Sequence, residues 1–397
     1  MSIKYTEAKY TDPGVEQGRG NPTIEALNPP QSDKEIMKAL LKKPRFTRPD
    51  PKLPVEKRRQ ELAVLDQAYS PIEPVVALAR SYDDVLRCGY HCRNPMKIGY
   101  FDHTAKQWCE GREKRAHQSV TGISACGEAG LGKSVAMKLI PEGQPQVIQH
   151  TQYTPPQYLK AKQLPGLQHL QKKQPFPHVQ IVYLHVQCPV NSRKPSNMAR
   201  AIFAAADEIL DGTNYRDKYG HGTMTDLELN AAILAKNHSL GVLIIDEIQR
   251  LVKSEETMNF LIDLNNIIGV PIVSIGTEQS IALFKGNGSV ARRGNKMGDH
   301  HWKRMLWSDE KDRKNWNNFM KVLWPHQVVQ HMVEFDESLS KLFWQQCRGI
   351  PDYGVKLFRL AQCRAMESGV EKLTPEVIIS ATDNFSFSQE ILAADKK

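Results

Sequence analysis

Apolar positions along the chain follow two rhythms. Short continuous apolar runs, Val120–Cys126, Val179–Val186, Gly241–Ile245, Val270–Gly276 and Val328–Phe335, predict strands covered on both faces. Between and before them, apolar residues recur at three- and four-residue spacing, which predicts helices over Ile72–Leu86, Lys133–Leu139, Asn197–Leu210, Met224–Asn237 and Glu255–Ile268. Strands alternating with helices define an α/β fold, a parallel sheet with helices on both faces. Beyond residue 337 only the helical rhythm remains, over Ser338–Gln346, Tyr353–Met366 and Pro375–Asn384. That pattern predicts a small C-terminal helical lid.

The first 75 residues lack long apolar periodicity and hold ten of the 24 prolines. Asn21-Pro22, Asn28-Pro29-Pro30 and Arg48-Pro49-Asp50-Pro51 break helices and favour extended chain. The predicted organisation is an extended N-terminal arm over 1–75 with one short helix near 33–42. An α/β domain over 76–336 follows, then the lid and a short tail over 337–397. Gln, Pro and Lys dominate 151–178, which predicts a loop insertion between two strands. No internal repeat is evident.

Composition narrows the class. Of 397 residues, 40% are hydrophobic and 24% charged, the balance of a globular protein. No stretch approaches the ~18 apolar residues of a membrane span, and the N-terminus lacks the apolar core of a signal peptide. Seven scattered cysteines fit reduced thiols, so the expected location is the cytoplasm, with no membrane partner. Cys88, His91, Cys92, His103 and Cys109 lack tight zinc-finger spacing and read as packed thiols and surface histidines. The net charge of +9 is concentrated: residues 34–60 carry ten basic against three acidic side chains, and 285–304 carry six against one. The arm is therefore the segment expected to meet a polyanion.

The chemistry begins at Gly127-Glu128-Ala129-Gly130-Leu131-Gly132-Lys133-Ser134, which fits the P-loop pattern between a predicted strand and helix. Its glycines let backbone N–H groups surround phosphate oxygens, and the helix start adds a positive dipole end. In such a loop Lys133 reaches the β- and γ-phosphates of ATP and Ser134 holds Mg²⁺. The strand Val242–Ile245 then delivers Asp246 and Glu247 to its C-terminal end, where open α/β sheets bind ligands. Asp246 suits the metal and Glu247 suits activation of the attacking water. Beyond the next strand, Thr277 is the expected contact to the γ-phosphate or that water, with Ser274 in reserve. Arg292 and Arg293, in Ala291-Arg292-Arg293-Gly294, are candidates for an arginine finger acting on a neighbouring subunit's nucleotide.

These residues, in this order and followed by a helical lid, resemble an AAA+ ATPase. Several segments are narrower matches to the TnsC family, AAA+ regulators of Tn-seven-like transposition related to TniB and MuB. They include Tyr10–Val15, Asn21–Leu27, Gly89-Tyr90, Arg93-Asn94-Pro95, Gly241–Gln249, Asn266–Pro271, Ala291–Gly294 and Val355–Gln362. The resemblance implies an ATP-dependent homo-oligomer, a ring or helical filament around duplex DNA. It also implies bridging of a TnsD- or TniQ-type target selector to a TnsA/TnsB-type transposase, with hydrolysis remodelling the polymer. DNA phosphates would be met by Lys or Arg from pore-facing loops, and Arg193, Lys194 and Arg200 are the candidates. Lys356 is the lid residue nearest the place of a second sensor. Trp302 and Trp307 read better as packed apolar groups than as a base-stacking platform. Two other classes are compatible: a signalling ATPase that gates protein contacts without DNA, and an origin-licensing loader.

Overall fold

The computed structural model describes residues 5–96, 122–154, 174–191, 194–252, 254–281, 283 and 298–382. The chain forms two compact units that interleave along the sequence and do not follow the expected linear division. One unit comprises Met1–Ser32, Ala77–Gly127 and Lys133–His301. The other comprises Asp33–Val76, Glu128–Gly132 and Trp302–Lys397.

The first unit is built on a five-stranded sheet ordered β5-β6-β7-β2-β8. Its strands are β2 (Ile123–Gly127), β5 (Tyr183–Gln187), β6 (Val242–Asp246), β7 (Ile272–Gly276) and β8 (Asp299–Trp302). β5, β6, β7 and β2 pair in parallel. All five residues of β2 and of β6 are buried, as continuous apolar runs require. Leu184, Val186, Leu243 and Ile245 pack with Ile202, Phe203, Leu227 and Leu261 of the helices Pro195–Ile209, Met224–Asn237 and Glu255–Ile268. Helix Glu73–His91 continues from the predicted Ile72–Leu86 and places Leu86 and Tyr90 against Gly241, where a Cβ would lie 2.6 Å from each side chain.

Two strand expectations change. The run Val179–Val186 is two strands, because the chain leaves one sheet at Ile181 and enters another at Tyr183. No glycine or proline lies between Val179 and Val186 to mark the switch. β4 (Gln174–Ile181) pairs antiparallel with β3 (Val147–Tyr153), which also pairs with the two-residue β1 (Thr6–Glu7). Both ends of the expected 151–178 loop are therefore strand, while 155–173 lie outside the described residues. Val328–Phe335 is not a strand either. Val328 and Val329 are buried, but Gln327 closes the segment as a loop, its Nε2 donating to the Trp324 and Val333 carbonyls and its Oε1 accepting from the Val333 N–H.

The N-terminal 75 residues are not an extended arm. Asn21 caps the short helix Pro22–Glu25, and Thr23, Ile24, Glu25 and Leu27 are buried. The Glu25 carboxylate accepts from the Gly20 N–H and the Tyr153 hydroxyl, each at 2.7 Å. Asn21 Nδ2 donates to the Tyr90 carbonyl and Asn94 Nδ2 to the Gly20 carbonyl, both at 2.9 Å. Arg93 is buried, and its guanidinium donates to the carbonyls of Gly89 (2.8 Å), Leu240 (2.5 Å) and Gly241 (3.1 Å). The Asn21 amide thus joins two of the motifs behind the family resemblance, and the Arg93 guanidinium holds the entry to β6.

Residues 33–76 instead fold with the helices Glu310–Leu323, Glu337–Cys347, Pro351–Glu367 and Pro375–Ala381. Leu62 and Leu65 are buried in a 3-10 turn, and the fully buried Arg58 forms a bidentate pair with Glu371 at 2.6 and 2.8 Å. Arg48 donates to the carbonyls of Val329 and Gln330, and Arg59 pairs with Glu367. Three basic side chains of the 34–60 cluster are thus engaged inside this unit, so that cluster is not a free polyanion arm. The apolar residues that anchor it are too sparse to show periodicity.

Buried histidines make the first unit acid-sensitive. His150 bonds to the Tyr10 hydroxyl and to Gln180, and Gln180 bonds to the Thr23 carbonyl. Burial lowers the pKa of His150 to about 4 and of His178 to about 3, with His150 and His238 adding to the lowering at His178. The unfolded chain binds these protons near pH 6.5, so stability is full above that pH. It is lost as pH falls towards 4 and then 3, each tenfold difference in proton affinity between the two states being worth about 1.4 kcal/mol. Urea unfolding from pH 7 to 4 is expected to show a falling midpoint, and His178→Phe, beside Phe176, should flatten the fall.

Candidate nucleotide site

The predicted P-loop lies between a strand and a helix. β2 ends at Gly127, and helix Lys133–Leu139 begins at the motif lysine. Gly130 and Gly132 have φ of +81° and +86°, which a side chain would strain. Gly127, Lys133 and Ser134 belong to the sheet unit, whereas the turn Glu128–Gly132 clusters with the helical unit.

Within the sheet unit, the Lys133 ammonium is buried and donates to the Gly127 carbonyl at 2.9 Å. The Ser134 hydroxyl donates to Asp246 Oδ1 at 3.1 Å, bringing together residues 112 apart in sequence. Asp246 is the buried last residue of β6, and its Oδ1 also accepts the Glu247 N–H at 2.8 Å. Glu247 adopts a left-handed conformation, φ 61° and ψ 36°. For a non-glycine residue that costs about 1–2 kcal/mol. The kink turns the chain sharply from β6 into the 3-10 turn Ile248–Leu251 and leaves the carboxylate partly exposed.

Thr277 follows the last residue of β7, and its N–H donates to Gln249 Oε1 at 3.2 Å. Its hydroxyl is buried without a hydrogen-bond partner among the described residues. A buried hydroxyl in that state costs about 1–3 kcal/mol, which a bound oxygen would recover. Ser274 is buried three residues back within the strand, so Thr277 holds the tip.

Within the helical unit, Arg304 grips Glu128 with two hydrogen bonds, Nε to Oε2 at 2.9 Å and a terminal nitrogen to Oε1 at 2.5 Å. The Gly130 carbonyl accepts the Asp352 N–H at 3.1 Å. A Cβ on Gly130 would come within 2.9 Å of Ile350, so glycine is needed for closeness as well as for φ. Tyr69 lies against Gly132. Lys356 bonds to Asp352 Oδ2 at 2.5 Å, so the expected lid lysine is paired beside the turn. Gln249, Arg304 and Tyr69 are not among the sequence-predicted site residues. Gln249 lies two residues from the acidic pair and Arg304 at the end of the basic 285–304 segment, so each sits in a segment the sequence singles out, though for another reason.

Arg193, Arg292 and Arg293 lie outside the described residues. Lys194 is exposed at the start of helix Pro195–Ile209. Arg200 is engaged within its own unit, Nε to the Gly220 carbonyl at 2.7 Å, which ties down the helix Tyr215–Tyr219. Trp302 is buried and Trp307 packs against Trp344. Among the described residues no cluster of three His, Cys, Asp or Glu could hold a metal by itself, and no helix is long and apolar enough to cross a membrane. Ser134 and Asp246 supply the hard oxygen donors that suit Mg²⁺ completed by phosphate and water.

Residues 117–283 match a protein-family model described as an AAA domain. Together with the sheet order and the P-loop, this defines an AAA-type P-loop fold. Three solved structures have similar chains. The Thermotoga maritima RuvB Holliday junction branch migration motor is 13% identical, with 74% of this chain and 72% of that chain covered, at a TM-score of 0.35. Drosophila ORC bound to DNA is 13% identical, with 88% and 72% covered, at 0.39. The Aeropyrum pernix ORC1 protein in complex with DNA is 14% identical, with 75% and 68% covered, at 0.42. No curated protein matches.

Proposed function

We propose that the chain is a Mg²⁺-dependent ATPase whose nucleotide state controls assembly on duplex DNA, in the manner of TnsC-type transposition regulators. The observation that carries the ATPase reading is the Ser134–Asp246 hydrogen bond beside a buried Lys133 and the kinked Glu247. It joins the proposed phosphate loop to the acidic strand end.

The backbone of Gly127–Gly132 and the Lys133 ammonium would hold the phosphates. Ser134 and Asp246 would hold Mg²⁺, which when bound supplies charge neutralisation at the phosphate oxygens. Glu247 would accept a proton from the attacking water, and the Thr277 hydroxyl would contact that water or the γ-phosphate. Arg292 or Arg293 would complete a neighbour's site in trans, which couples hydrolysis to assembly.

The finer reading rests on the sequence segments that resemble TnsC. It comprises a homo-oligomer on duplex DNA, held in part by Arg193, Lys194 and Arg200, that links a TnsD- or TniQ-type selector to a TnsA/TnsB-type transposase. Co-sedimentation with duplex DNA across a salt series tests it. ATP-dependent pelleting that weakens steeply with salt is expected, because phosphate contacts release counterions. Pelleting with ATP that is indifferent to DNA at low salt would favour a protein-gating switch instead.

A further inference from the structure

The hydrogen bonds around Glu247 extend one residue beyond the acidic pair. Gln249 sits in the 3-10 turn that follows the left-handed kink, and both ends of its amide are used. Nε2 donates to Glu247 Oε2 at 2.8 Å, and Oε1 accepts the Thr277 N–H at 3.2 Å. The partners fix the amide's orientation: flipped, it would set oxygen against carboxylate and NH₂ against N–H. Gly276 makes room for it, since a Cβ there would lie 2.9 Å from Gln249 Oε1 and 2.7 Å from Ile248. The Arg250 guanidinium approaches the same Glu247 oxygen at 3.7 Å. Oε2 is thus anchored, while Oε1 accepts no hydrogen bond among the described residues, and the side chain as a whole is partly exposed.

We propose that Gln249 is a positioning residue that holds the Glu247 carboxylate in its proton-accepting orientation and ties it to the Thr277 strand tip. The proposal rests on the ATPase reading above, with Glu247 as base. An unanchored glutamate is spread over several rotamers, and a misplaced base loses rate without losing nucleotide affinity. The bridge also gives the buried Thr277 hydroxyl a mechanical route to Glu247. A contact that shifts the tip of β7 shifts the Gln249 acceptor bond, and with it the carboxylate.

The test uses the full chain with Mg²⁺, ATP and duplex DNA. Gln249→Leu is expected to lower kcat about tenfold to a hundredfold, with nucleotide affinity, read by a fluorescent ATP analogue, unchanged within about threefold. Gln249→Glu sets a second carboxylate against Glu247, which raises the base's pKa, so the acid limb of the kcat–pH profile should move to higher pH. A purely structural role would leave that limb in place. In a Glu247→Gln background Gln249→Leu should add little further loss, because the two act as a unit. A chain that hydrolyses ATP and keeps its kcat and pH limb in both Gln249 variants overturns this proposal alone. A wild-type chain that binds nucleotide yet releases no phosphate overturns the ATPase reading and this proposal with it.

Discussion

Glu247→Gln is expected to lower ATP hydrolysis by about two to four orders of magnitude, the contribution of a positioned general base. Nucleotide binding should survive, because Lys133, proposed for the phosphates, and Ser134 and Asp246, proposed for the metal, are untouched. The substitution is nearly isosteric, and a glutamine oxygen can still accept from Gln249 Nε2. The fold should therefore persist and the chain should accumulate with ATP bound. On the assembly reading, sedimentation would show polymers that form with ATP and fail to disassemble. Single-turnover hydrolysis separates this from a binding defect. Rapid turnover in Glu247→Gln would remove Glu247 from the mechanism and shift attention to another water-orienting group.

Lys133→Ala should act one step earlier, on binding. The ammonium is buried and donates to the Gly127 carbonyl, so its charge is held inside the loop before any phosphate arrives. Removing it deletes the one cation of the motif, and charge-assisted hydrogen bonds of this kind are worth about 1.5–3 kcal/mol each. Without two or more such bonds to phosphate, the affinity should fall by about a hundredfold or more. Thermal unfolding with and without ATP gives the readout. At a hundred times its Kd, a ligand adds about 2.7 kcal/mol to the wild-type chain, and Lys133→Ala should lose nearly all of that gain. An unchanged ATP-induced shift would contradict the assignment.

The α/β core was legible because its signals are local. Lys133–Leu139, Met224–Asn237 and Glu255–Ile268 are helices at the predicted residues, since amphipathic spacing and capping act within one element. The nucleotide motifs were legible for the same reason, as the P-loop and Val242–Glu247 each carry their geometry in consecutive residues. What escaped depends on partners distant in sequence. Ile24 and Leu62 are buried by chain far from them, so a proline-rich segment read as open. β8, Asp-His-His-Trp, has one buried residue in four and exists only because the neighbouring strand offers an edge. Arg304 pairs with Glu128 across 176 residues, and Gln249 reaches Thr277 across 28, distances over which no periodicity speaks. Local charge density misleads in the same way. Arg48, Arg58 and Arg59 looked available to a polyanion, yet each is engaged within the helical unit.

The most direct test of the central claim is steady-state phosphate release by the full chain with ATP, Mg²⁺ and duplex DNA, run beside Lys133→Ala and Glu247→Gln. Saturable, Mg²⁺-dependent release from the wild-type chain, with both variants at background and only Glu247→Gln retaining ATP, is the predicted result. Release that persists in Lys133→Ala, or a wild-type chain that binds ATP and never hydrolyses it, would contradict the account.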